Sequence, residues 1–115
     1  MHRKIEPNTA LIDYTIYRGD TFYGNSVRVV GEDGTPVLGN NGKVHFGIFR
    51  GENPILIKSY TAADRDENGY IQFGLLPDET AELTPREYSY EVEFEISDTE
   101  VFTAIAGTLT VIADK

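Results

Sequence analysis

The chain has 115 residues, 10 basic against 19 acidic side chains, a net charge of −9, and neither cysteine nor tryptophan. A chain of this length supports one core and buries roughly 65% of its unfolded surface. Disulfide frameworks, thiol nucleophiles and cysteine-ligated metals are excluded, and the acidic balance argues against a grip on nucleic-acid phosphates.

In chain order, Met1-His2-Arg3-Lys4 is basic but is followed only by isolated apolar residues, so no signal peptide is expected. No apolar run approaches the ~18 residues that cross a bilayer. Residues 1–8 read as a flexible arm and 9–115 as a single domain. Residues 11–17 put Ile12, Tyr14 and Ile16 on one side of a strand. Residues 22–30 place Val27 and Val29 inward. Gly31-Glu32-Asp33-Gly34-Thr35-Pro36 is turn chemistry. Residues 43–50 align Val44, Phe46 and Ile48, which turns His45 to solvent, and Pro54 opens a strand at 55–61.

A polar loop at 62–69 leads to the alternation of Ile71, Phe73 and Leu75. Residues 78–83 read as one short helical turn capped by Asp78 and stopped by Pro85. The clearest pattern is 86–96, where Tyr88, Tyr90, Val92, Phe94 and Ile96 alternate with Glu87, Ser89, Glu91, Glu93 and Glu95. Such a period of two over eleven residues is a half-buried strand. The last strand, 101–112, has Val101, Ile105, Leu109 and Val111 in phase, with Gly107 marking a bulge or close approach. Seven to eight strands with frequent turns make an all-β, immunoglobulin-like antiparallel sandwich. Leu83-Thr84-Pro85-Arg86-Glu87-Tyr88 suits a tyrosine corner, with the Tyr88 hydroxyl bonded to upstream backbone.

Charge is concentrated. Residues 78–100 hold nine acids against Arg86 alone, a net of −8. The expected role is a solvated face, with Glu91, Glu93 and Glu95 pointing outward or meeting a basic partner.

Chemical motifs are sparse. Arg18-Gly19-Asp20 is the tripeptide that adhesion receptors read, but between two strands it reads as a turn. Asp64-Arg65-Asp66-Glu67-Asn68-Gly69 matches half of an EF-hand loop, giving Asp64, Asp66 and Asn68 as a weak cation candidate. Its twelfth position is Leu75, so a turn is the expectation and no metal or other cofactor is assigned. Nucleophile elbows, Walker loops and zinc-protease signatures are absent from the sequence, and no catalytic residue or enzyme activity is expected. Tyr17, Tyr23, Phe49 and Tyr60 are the aromatics that could stack on a sugar if exposed.

Several segments recur in a known order: Ile16-Tyr17-Arg18-Gly19-Asp20-Thr21-Phe22, Glu32-Asp33-Gly34-Thr35-Pro36-Val37, Gly69-Tyr70-Ile71-Gln72-Phe73, Glu79-Thr80-Ala81-Glu82-Leu83, Tyr88-Ser89-Tyr90-Glu91-Val92 and Gly107-Thr108-Leu109-Thr110-Val111. Together, over about residues 12–113, they resemble the immunoglobulin-like domains of tailed-phage and prophage structural proteins. The resemblance is nearest to the N-terminal domain of baseplate upper proteins and to small tail or neck accessory proteins. Val37-Leu38-Gly39-Asn40-Asn41-Gly42 is looser than the turn usual there, and receptor binding is not among the functions expected of this domain. The resemblance implies a non-enzymatic virion component, made in the bacterial host cytoplasm and contacting other virion proteins, with trimeric or hexameric self-association. The alternative is a carbohydrate- or cell-surface-binding module. The final strand's face (Phe102, Ala104, Ala106, Thr108, Thr110, Ile112) and the arm are the expected contact surfaces.

Overall fold

A computed structural model of the protein describes residues 9–28 and 42–113. The arm at 1–8, Val29, the turn at 31–36 and positions 37–41 lie outside the described residues. The strands are β1 (Ala10–Leu11), β2 (Tyr14–Tyr17), β3 (Phe22–Val27), β4 (Lys43–Arg50), β5 (Asn53–Thr61), β6 (Ile71–Leu75), β7 (Arg86–Ser97) and β8 (Glu100–Ile112). A 3-10 turn, Ala62–Asp64, follows β5, and a short helix, α1 (Pro77–Ala81), follows β6.

Two sheets stack as an immunoglobulin-like sandwich. The larger runs β1–β8–β7–β4–β5, with β2 taking over from β1 along β8; the smaller is the pair β3–β6. β1 and β2 run parallel to β8, and every other pairing is antiparallel. The period-two strands explain the core. Tyr88, Tyr90, Val92 and Phe94 of β7 and Val44, Phe46 and Ile48 of β4 are buried on one face, opposite Ile71, Phe73 and Leu75 of β6. Tyr14, Phe22, Phe46, Phe73 and Tyr90 form a ring cluster across the gap, with centroids from 4.9 Å (Phe46–Phe73) to 6.3 Å (Phe22–Phe73). Tilted and edge-on ring pairs of this kind add about 0.5–1.5 kcal/mol each beyond burial.

Gly107 marks a close approach. A Cβ there would collide with the Ile12 carbonyl oxygen. That oxygen accepts the Tyr90 hydroxyl at 2.6 Å, and Asp13 takes the Thr108 amide at 2.9 Å, so the chain crosses from β1 to β2 against β8. The Tyr88 hydroxyl donates to the Thr84 carbonyl at 2.7 Å, closing the tyrosine corner where the chain enters β7.

Two local expectations need correction. The helix cap is Leu76, with Pro77 inside the first turn; the Leu76 amide donates to Glu79 Oε1 at 2.7 Å, so Glu79, three residues on, does the work assigned to Asp78. In β8 the register shifts between Val92↔Ile105 and Glu93↔Thr103. The extra residue reverses the phase below Ile105. Val101 therefore turns out to solvent, while Phe102 packs on Phe94 with centroids 5.4 Å apart.

Gly107→Ala should lower unfolding free energy by roughly 1–3 kcal/mol through overpacking, and Tyr88→Phe by about 1 kcal/mol through one lost hydrogen bond. Urea unfolding of the full chain measures both, with Gly107→Ala the larger loss.

Candidate functional site

The residues singled out by sequence fall in four places. The first is the β2–β3 turn. Asp20 N–H donates to the Tyr17 carbonyl at 3.1 Å, and Gly19, at φ 89°, occupies the third position of what reads as a type II turn. The turn is stapled to α1. Gly19 N–H donates to Thr80 Oγ1 at 2.9 Å, the Thr80 hydroxyl lies 2.8 Å from the Asp20 carbonyl, and Arg18 Nε donates to the Ala81 carbonyl at 2.9 Å. Thr80 is fully buried. The Arg-Gly-Asp tripeptide is thus an architectural joint, docked along its length.

The second is the 62–69 loop. Asp64 Oδ2 accepts the Thr61 amide at 2.8 Å and completes a capping box on the 3-10 turn. Asp66 Oδ1 accepts the amides of Asn68 and Tyr70 at 2.8 and 2.9 Å. The two carboxylates therefore serve different stretches of backbone, and Asn68 enters through its main chain, whose carbonyl accepts Arg28 Nη1 at 3.0 Å. No cluster of three or more metal-ligating side chains occurs among the described residues.

The third is the outer face of the large sheet, and here the expected row of solvated glutamates is corrected. Glu91 is 0% exposed and Glu93 9%. Glu91 lies between Gly47 of β4 and Ala106 of β8, and the Phe49 ring folds back over Gly47. Short neighbours leave a trough into which the glutamate stem settles. Glu95 remains partly exposed. The proposed contact strip on β8 is also broken up: Phe102 and Ala104 pack against the core, Ala106 is fully buried, and only Ile112 of its apolar members is exposed. The bulge above Thr103 turns Phe102 and Ala104 inward, while Ala106 stays in the outer row between Leu11 and Glu91.

The same face holds a constellation that alternation alone did not reveal. His45 Nδ1 is 2.7 Å from Ser59 Oγ and Nε2 is 2.8 Å from Glu95 Oε1. If Nε2 donates to the carboxylate, a neutral ring accepts the serine hydroxyl at Nδ1, an assignment inferred from the partners. Register was the missing signal, because His45↔Ser59 is a direct cross-strand pair and Glu95 stands diagonal to it. The His45 bond holds the Glu95 carboxyl below the ordinary range, against a smaller upward push from desolvation, and Lys43 adds attraction.

The fourth is the open side of the sandwich between β5 and β6. Burial pushes the Glu79 carboxyl up, but the Leu76 amide and the Lys58 ammonium, 2.8 Å away, together hold it below the ordinary range. Lys58 Nζ also donates to the Gly74 carbonyl at 3.1 Å, and the Tyr60 hydroxyl accepts the Gly74 amide at 3.2 Å. Tyr23 and Tyr60 line one shallow groove with Thr21, Lys58 and Gln72. Of the other two candidate aromatics, Tyr17 is exposed and Phe49 lies over Gly47, so the four do not form one platform.

No helix among the described residues is long and apolar enough to cross a membrane. No family model matches the chain, and no match to a curated protein is found.

Glu79 and Glu95 each contribute to the acid response. Both folded-state pKa values are depressed below 4.5, so their stabilisation is complete above that value and is lost as pH falls through the lowered ones. The thermal midpoint should fall from pH 5 to pH 3, and Glu95→Gln should flatten part of that slope; calorimetry at fixed ionic strength reads both.

Proposed function

We propose that this chain is a non-enzymatic structural or assembly component of a tailed-phage or prophage virion, in the baseplate or tail, acting through contacts with other virion proteins. The segments that carry the resemblance supply the reading. The observation that carries it further is where side-chain chemistry is spent. Asp64, Asp66, Thr80, Glu79 and Tyr88 bind backbone at turns and caps, while exposed large apolar residues include Leu11, Tyr17, Ile55 and Ile57 on edge strands of the large sheet, besides Leu76 before α1 and Val101 and Ile112 on β8. Such a body offers surfaces for neighbours. Self-association into a closed ring or trimer would need a heterologous patch, with two different surfaces of the chain in contact.

Antibody labelling of particles released by induction should place the chain on purified virions, and its absence from intact particles would end the reading. The line Ser59–His45–Glu95 supplies a test of the non-enzymatic half, because a hydroxyl, an imidazole and a carboxylate are also the parts of a nucleophilic site. The full chain should hydrolyse p-nitrophenyl acetate no faster than a Ser59→Ala variant; a serine-dependent rate would contradict it.

A second reading, sugar binding, is favoured by one observation, the shared groove of Tyr23 and Tyr60 with polar Thr21, Lys58 and Gln72. Glycan-array binding abolished by Tyr23→Ala would support it over the virion role. Silence on the array is the expected result.

A further inference from the structure

We infer that the open edge of β5 is a strand-addition site for an extended, basic segment of another protein, an inference that rests on the reading of this chain as a contact module. The edge is defined by the hydrogen-bond phase of the sheet. The Ala106 carbonyl accepts the Ile12 amide at 3.0 Å, so the Ala106 backbone points toward β1 and away from β7. Its cross-sheet row runs Ala106↔Glu91↔Gly47↔Ile57. Because antiparallel pairs alternate between bonded and non-bonded, the Glu91 backbone turns to β4, Gly47 turns to β7, and the Ile57 N–H and C=O point off the sheet. Ser59 and Thr61 share that phase. Thr61 agrees independently, since its amide is taken by Asp64 at the strand's end. No described strand pairs with β5 on that side.

A groove of about 390 Å³ lies at the start of this edge, before Ile57, lined by Ile55, Leu56, Leu83, Asp78, Glu79 and Glu82. Ile55 and Leu56 point to opposite faces of the sheet, so a cavity touching both sits at the strand's side, between β5 and α1. Its floor is apolar. Asp78 and Glu82 stand exposed on its rim, and Ile55 and Ile57 are 46% and 43% exposed beside it.

Charge complementarity chooses the occupant. An added strand gains main-chain hydrogen bonds at Ile57 and Ser59, and side-chain pockets supply its specificity. Here the pocket is apolar with an acidic rim, which fits lysine or arginine alternating with aliphatic residues. A second copy would bring its own acidic α1 to the same edge, and like charges brought together oppose that pairing.

The test uses the full chain and two capped octapeptides, one alternating lysine with valine and one alternating glutamate with valine. The lysine peptide should bind saturably and at least tenfold more tightly than the glutamate peptide. It should slow amide exchange at Ile57 and Ser59 at least tenfold, and raising salt should weaken it. Ile57→Pro, which removes an outward amide, should abolish binding. If that variant does not fold, Asp78→Lys with Glu82→Lys should weaken binding at least fivefold with the fold intact.

Equal binding of both peptides, no saturable binding, or protection elsewhere would overturn the inference. So would concentration-dependent dimerisation that protects the same two amides, because the occupant would then be a second copy. Virion labelling with no peptide binding removes the edge site alone; peptide binding with no virion labelling removes the virion role alone.

Discussion

Two strands cover a much wider sheet, and what holds them there is a set of aromatic rings. Phe22 and Phe73 of the small sheet interlock with Tyr14, Phe46 and Tyr90 of the large one, in a protein with no disulfide to fasten the layers. Tyr14, partly buried, and Tyr90, buried, also bind polar atoms through their hydroxyls, at Asn25 and Ile12, so each ring secures a piece of chain while packing on the core. The small sheet is seated on the large one by this cluster, and the β1–β2 crossing is tied to it through the Tyr90–Ile12 bond. The outer surfaces are what remains once it has formed.

Polar chemistry in the described residues is directed at geometry. A threonine on α1 binds the β2–β3 turn, two aspartates bind loop amides, and a glutamate closes the start of α1. Motifs that suggest receptor or calcium binding in the linear sequence are consumed in this way. The edge of β5 differs. Its backbone is directed outward beside an apolar groove with an acidic rim, and that contrast supports a role in docking to neighbours.

Much of the fold was legible because it depends on period. Eleven residues of alternation in β7 could bury one face only as a strand, and Gly107 sat where another backbone had to pass. The failures have physical causes. Alternation says which way Glu91 points but not what stands beside it, and its burial depends on Gly47 and Ala106, residues far apart in sequence and adjacent only through register. A single extra residue in β8 turned Phe102 inward and split the expected contact strip. The His45–Ser59–Glu95 row and the β5 groove likewise require strand order, which a single sequence does not contain.

The central claim is an interior welded by aromatic rings beside a β5 edge that no described strand covers. Residue-resolved native-state hydrogen exchange on the isolated full chain tests both halves together. Amides of Phe46 and Glu91 should exchange only through global unfolding, and those of Ile57 and Ser59 orders of magnitude faster. Slow exchange at Ile57 and Ser59, matching the centre of the sheet, would contradict it.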